Sequence, residues 1–117
     1  LACTLRLTRG DGGAEQAAIR QLLDRRAATQ PTGLPSCGST FRNPQGDHAA
    51  RLIVARGLKG YRIGGAQVST KHANFIINTG DASAADIESL IEPVAAEVEH
   101  GHGVRLQTEV HMVGEPA

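Results

Sequence analysis

The most unusual stretch of the sequence is Pro35-Ser36-Cys37-Gly38-Ser39-Thr40-Phe41-Arg42-Asn43-Pro44. Gly38 lets the backbone approach a ligand closely. Ser39 offers a hydroxyl, and Arg42 and Asn43 suit phosphate or carboxylate oxygens. The same residue types also suit an ordinary turn before a helix, and chemistry alone leaves both readings open. Taken singly, Glu109 reads as a solvated strand residue and His72 as a structural histidine. His100-Gly101-His102 presents two imidazoles without a Cys or carboxylate at ligand spacing, so no metal is expected there. Gly57-Leu58-Lys59-Gly60 and Gly64-Gly65 lack the spacing and the strand–turn–helix context of a phosphate loop or dinucleotide fingerprint. Arg9-Gly10-Asp11 spells a cell-adhesion tripeptide, but it sits where the chain is expected to turn.

The elements that must position these residues follow from periodicity. Ala2 to Thr8 alternates weakly and reads as a short strand running into the Gly10–Gly13 turn. Ala14 to Thr29 reads as a helix with one apolar stripe of Ala18, Ile19, Leu22 and Leu23. Pro31, Gly33 and Pro35 stop it and impose an extended loop. Asp47 to Ala55 reads as a second helix, with Asp47 as N-cap, Ala49, Leu52 and Ile53 buried, and Gly57 at the left-handed C-terminal position. Tyr61 to Ser69, interrupted by Gly64-Gly65, and Asn74 to Asn78 read as strands.

Ser83 to about Glu99 carries the strongest helical pattern, with Ile87, Leu90, Ile91, Val94, Ala95 and Val98 on one face. Ser83 and Asp86 form a capping-box pair. Pro93 removes a backbone donor inside that pattern and predicts one bent helix, since the stripe continues past it. Val104 to Met112 alternates as a last strand, with Val104, Leu106, Val110 and Met112 facing inward. The order predicts an α+β domain in which about three helices cover one face of a mixed sheet.

Composition narrows the function classes. At 117 residues the chain suits one domain, and Lys plus Arg balance Asp plus Glu at 12 each. A basic excess, the usual mark of nucleic-acid or anionic-membrane binding, is absent. With no Trp, one Tyr and two Phe, a base-stacking platform is not expected either. No apolar run approaches the roughly 20 residues that cross a bilayer. Cys3 and Cys37, without a signal-peptide pattern, read as free thiols of a cytoplasmic protein. The first residue is Leu1, not Met, which suggests a piece of a longer polypeptide.

Four segments then point further when taken together. Gly38-Ser39-Thr40-Phe41-Arg42-Asn43-Pro44 resembles the Gly-Ser-x-Phe-(Lys/Arg)-Asn-Pro signature of the UDP-N-acetylmuramate dehydrogenases, the MurB family. Gly60 to Ser69 followed by Lys71-His72-Ala73-Asn74-Phe75 resembles that family's second C-terminal signature. Arg26 to Pro31 has the family's look, and Thr108-Glu109-Val110-His111-Met112-Val113-Gly114 resembles its Pro-Glu-Val-Arg-x-x-Gly. The segments occur in family order across essentially the whole chain. Thr108 for proline, His111 for arginine and Pro93 within the long helix are departures, and none touches Ser39 or Glu109.

The resemblance implies the C-terminal substrate-binding domain of an NADPH- and FAD-dependent reductase of peptidoglycan precursor synthesis, in its shorter, type II branch. In such enzymes a hydride goes to the methylene carbon of UDP-N-acetylglucosamine enolpyruvate, and the adjacent carbanion-like carbon takes a proton. By resemblance Ser39 donates that proton, where position matters more than a tuned acidity. Glu109 lies beside the substrate carboxyl and stabilises charge developing there, and it must carry or share a proton, because two bare carboxylates repel. Arg42 and Asn43 are implied contacts to substrate phosphate or sugar, and His72 stands where the other branch carries a substrate-contacting glutamine.

The flavin domain, the implied partner, is not among these residues. Residues 1–10 would then be its tail or a linker strand, and residues 1–117 a single domain that alone holds neither FAD nor NADPH. A stand-alone, non-catalytic UDP-sugar-binding module, or a fragment that binds nothing until rejoined, are the alternatives.

Overall fold

The structure, a computed structural model, describes residues 1–114. Three helices, α1 (Gly12–Thr29), α2 (Ala49–Ala55) and α3 (Ala84–His102), accompany three short strands, β1 (Arg62–Ile63), β2 (Ala66–Val68) and β3 (Ile76–Asn78). The α+β class and the three helices agree with expectation. The sheet, ordered β1-β2-β3, is antiparallel in both of its pairs, not mixed. Chain length explains this: only Gly64-Gly65 separates β1 from β2, and residues 69–75 join β2 to β3, whereas parallel neighbours need a crossover of roughly a dozen residues or more.

Two expected strands do not form ladders among the described residues. Residues 2–8 are exposed and bridge to nothing, with Leu5 and Leu7 in solvent. Residues 104–112 make one isolated bridge, Phe41 to Thr108. Their alternation is nevertheless used as predicted up to Val110. Leu106 is buried, and Val104 and Val110 pack on the core, while Met112 is exposed. What this segment lies against is the Ser39–Arg42 loop, too irregular to extend a ladder.

The core sits between α3, α2 and the sheet. Leu90, Val94 and Val98 of α3, Leu52 and Ile53 of α2, Val68 of β2 and Phe41 from the loop are essentially fully buried. Burying each such side chain contributes roughly 1.5–3 kcal/mol. α3 runs through Pro93 as one helix, as predicted, and ends at Gly103 with φ 67°.

Its start is tied to the sheet. Ser83 Oγ accepts from the Asp86 N–H, and Asp86 Oδ2 accepts from the Ser83 N–H and, more weakly, from Gly65 in the β1–β2 turn. Gly65 must be glycine, because a Cβ there would lie 2.4 Å from the Ala82 backbone nitrogen. The Ser83 and then the Gly65 N–H groups hold the Asp86 carboxyl below its ordinary range. A depressed carboxyl stabilises the fold above its unfolded pKa and loses that contribution as pH falls through the folded value. Asp86→Ala is therefore expected to lower the melting temperature at neutral pH, and the gap from the parent should close on acidification. Thermal melts of both proteins between about pH 7 and about pH 2 check this.

Two helix starts differ in detail from expectation. Asp11, the last residue of the adhesion-like tripeptide, is the N-cap of α1 and accepts from the Gly13 N–H at 2.9 Å. Asp47 is not the N-cap of α2. His48 occupies that position, and Asp47 binds the His48 N–H and the Arg51 guanidinium instead. The free Ala49 N–H is taken at 3.0 Å by Asn43 Oδ1 from the preceding loop.

α1 forms as predicted, yet none of its residues is buried. Ile19, Leu22 and Leu23 are 57%, 64% and 58% exposed. The radius of gyration, 17.4 Å, exceeds the roughly 13 Å of a compact chain of this size because this helix stands off the core.

Candidate functional site

The Ser39–Phe41 loop is held from two sides by backbone. Gly38 enters it with φ 83°, and no atom lies within 4 Å of where a Cβ would be, so left-handed backbone, not close contact, is what asks for glycine. The Thr40 N–H donates to the Asn74 carbonyl at 2.8 Å, and the Thr40 carbonyl accepts from the Glu109 N–H at 2.8 Å. Arg42 N–H donates to the Gln107 carbonyl at 2.9 Å. The Asn74 side chain, itself buried, pairs with both backbone groups of Phe41. The buried Thr40 hydroxyl has no partner among the described residues.

These constraints open a cleft of about 350 Å3 onto which Ser39, Asn43, His48, His72, Asn74 and Glu109 converge, with Phe41 and Ala50 adding apolar surface. Four of the five candidate residues are thus brought together. Arg42 is the fifth, and it lines a separate depression with Arg105 and Gln107, to which Asn43 also contributes. Glu109 borders, in addition, a more apolar groove of about 470 Å3 beside Ile87, Ile91, Val110 and Met112. His48 and Asn74 were not singled out by sequence. Asn74 at least lies within the quoted Lys71–Phe75 motif, while nothing in the residues around His48 marks it.

The cleft is furnished with neutral donors. His72 Nδ1 accepts from the Asn74 N–H at 3.3 Å, so the ring's remaining proton sits on Nε2. Partial burial, above all, lowers the His72 pKa, and the nearby Lys59 charge adds to this. The ring packs edge-on against Phe75 at 4.9 Å. Asn43 uses its side-chain oxygen on α2, which leaves its amide N–H groups for a ligand. Ser39 Oγ makes no hydrogen bond to either histidine among the described residues. A hydroxyl without a partnered base suits a proton donor better than a nucleophile. The arrangement can bind an anionic or carbonyl group through neutral donors and deliver one proton to an adjacent atom.

Neither of the two glycine segments noted in the sequence forms a dinucleotide fingerprint: Gly57–Gly60 joins α2 to β1, and Gly64-Gly65 is a hairpin turn, so neither opens a helix. The start of α3 is closed by its own capping box, in which the Asp86 carboxylate accepts from the Ser83 N–H.

Comparison with known proteins follows the same lines. The family model described as UDP-N-acetylenolpyruvoylglucosamine reductase, C-terminal domain, matches residues 30–113. A UDP-N-acetylenolpyruvoylglucosamine reductase of Alkalilimnicola ehrlichii is 64% identical over 115 residues, covering 98% of this chain and 39% of that protein. One of Nitrosococcus oceani is 59% identical over 117 residues, covering 100% of this chain and 39% of that protein. The crystal structure of UDP-N-acetylenolpyruvylglucosamine reductase from Thermus caldophilus superposes with a TM-score of 0.63 at 39% identity, covering 83% of this chain and 34% of that one. The chain thus spans about two fifths of the length of the curated relatives it matches.

Proposed function

This chain belongs to the UDP-N-acetylenolpyruvoylglucosamine reductase family, as its C-terminal domain, and from that membership we propose that it is the substrate-binding, proton-donating part of an enzyme making UDP-N-acetylmuramate for peptidoglycan. The observation that carries the reading is the convergence of Ser39 and Glu109, distant in sequence, on one cleft with Asn43 and His72. FAD and NADPH, which the family generally uses, would supply the hydride. The residues here do the rest. The Asn43 amide and His72 Nε2–H orient the UDP-N-acetylglucosamine enolpyruvate, and Arg42, beside the cleft, reaches its phosphates. Glu109 shares a proton with the substrate carboxyl, and Ser39 Oγ–H gives its proton to the adjacent carbon, then recovers one from water. The cytoplasm is the place for such a precursor. The shorter, type II branch, which lacks a tyrosine-bearing loop found in the other branch, is favoured because the single tyrosine, Tyr61, lies just before β1 and outside the cleft.

We further propose that the domain boundary lies at the end of α1 and not at residue 10. Residues 30–113 are the substrate domain, and residues 1–29 pack against the flavin-binding part of the longer polypeptide. Three facts support this: the family model starts at residue 30, the relatives match α1 as well, and the Ile19–Leu22–Leu23 face covers nothing among the described residues. The test is a chimera in which this chain replaces the matching part of the Alkalilimnicola ehrlichii protein. NADPH oxidation dependent on UDP-N-acetylglucosamine enolpyruvate is expected, and its absence in a folded, flavin-loaded chimera would sink the proposal. Leu22→Glu should leave the melting temperature of the 117-residue chain unchanged. In the chimera it should lower it, on the scale of a core defect. Equal effects in both would refute the boundary.

A further inference from the structure

The geometry points to Asn74 as a positioning residue, whose amide locks the Ser39–Phe41 loop against the segment that carries Glu109. The inference rests on the reading of Ser39 and Glu109 above and adds a residue that acts on them through backbone. Asn74 Nδ2 donates to the Phe41 carbonyl at 2.8 Å, while Asn74 Oδ1 accepts from the Phe41 N–H at 3.0 Å. Its own carbonyl takes the Thr40 N–H at 2.8 Å. One residue therefore fixes both residues that follow Ser39. On the far side the Thr40 carbonyl holds the Glu109 N–H at 2.8 Å. Asn74, Thr40 and Glu109 form a continuous chain of bonds, and the Asn74 N–H ties in the His72 ring as well.

A side-chain amide is the group this requires. At 4% exposure Asn74 cannot exchange a lost bond for water, so either half left unpaired would pull on the loop. Aspartate has nearly the same shape. Ionised, it lacks the donor and sets a carboxylate against the Phe41 carbonyl; protonated, it donates and accepts as the amide does. The titratable groups facing this position are His72 by contact and His48 and Glu109 across the cleft. All three are present in the parent, which is measured over the same pH range as the control.

The experiment follows the amide resonances of Ser39, Thr40, Phe41 and Glu109 in Asn74→Asp and in the parent chain. Near neutral pH these four should move in the variant, with Phe41 N–H exchange faster by about tenfold or more. They should return toward the parent on acidification. Resonances that coincide with the parent at neutral pH, or stay displaced in acid, would overturn the inference. Asn74→Gln is the second variant, since it keeps both polar groups but lengthens the arm by one methylene. In the assembled reductase it should lower kcat on the order of 10–100-fold while KM stays near the parent value. An intact kcat with only a lower melting temperature would reduce Asn74 to a purely structural role. If Ser39→Ala leaves kcat unchanged, the reading of Ser39 fails instead, and the amide resonances still decide whether Asn74 holds the loop.

Discussion

Ser39→Ala in the assembled reductase is expected to lower kcat by about 10²–10⁴, the usual range for losing a positioned general acid. Substrate affinity should change little, because the neighbouring Asn43 and His72 donors and the Asn74 clamp on Phe41 all remain. Alanine has no transferable proton, and its side chain ends at the Cβ, short of the position the Ser39 hydroxyl occupies. Ser39→Cys gives a sharper version of the test. A thiol is a stronger acid than a hydroxyl and occupies nearly the same place, so the cysteine variant should recover part of the alanine loss. The measurement is steady-state kinetics of both variants with UDP-N-acetylglucosamine enolpyruvate, beside solvent-deuterium incorporation into the product. An alanine variant within about threefold of the parent would remove Ser39 from the chemistry, since the effect asked of a general acid is far larger.

How much of this was legible in sequence depends on whether the signal was local. α3 was fully legible, because the Ile87–Val98 stripe and the Ser83–Asp86 pair are set within one helix, and even Pro93 was absorbed as expected. The stripe of α1 was equally clear, but a stripe says only that a face wants covering, and nothing among the described residues covers it. The alternation of Val104–Val110 correctly gave the inward side chains and wrongly suggested a ladder. Pairing depends on the partner, and the partner here is a loop that meets it at Phe41 and Thr108. Caps show the same limit. Asp47 precedes α2 and looked like its cap, yet the oxygen that does part of this work comes from Asn43. Within the site, residue types and motif resemblance pointed to Ser39, Glu109, Asn43 and His72. Asn74 was visible only as a letter in a motif, because its purpose lies in bonds to residues more than thirty positions away.

The pH dependence of the assembled enzyme should carry an acid limb set by one residue of the cleft. On the acid side the group is His72. Its pKa is lowered by burial, and its Nδ1 must stay unprotonated to accept the Asn74 N–H. Protonation breaks that bond, so activity declines as pH falls through the lowered folded value, while this part of the stability is complete above the free-imidazole value and is lost between the two. His72→Gln should flatten this limb, since an amide keeps a donor and does not titrate. Glu109→Ala removes the stabilising group altogether and should cost on the order of 10²–10³ in kcat. Glu109→Gln should cost less, because it keeps a donor toward the substrate carboxylate. The pH–rate profiles of the parent and His72→Gln test the acid limb, and the steady-state rates of Glu109→Ala and Glu109→Gln test the carboxyl. A Glu109→Ala variant that keeps the parent's kcat would mean that this carboxyl takes no part in the reaction and only borders the cleft.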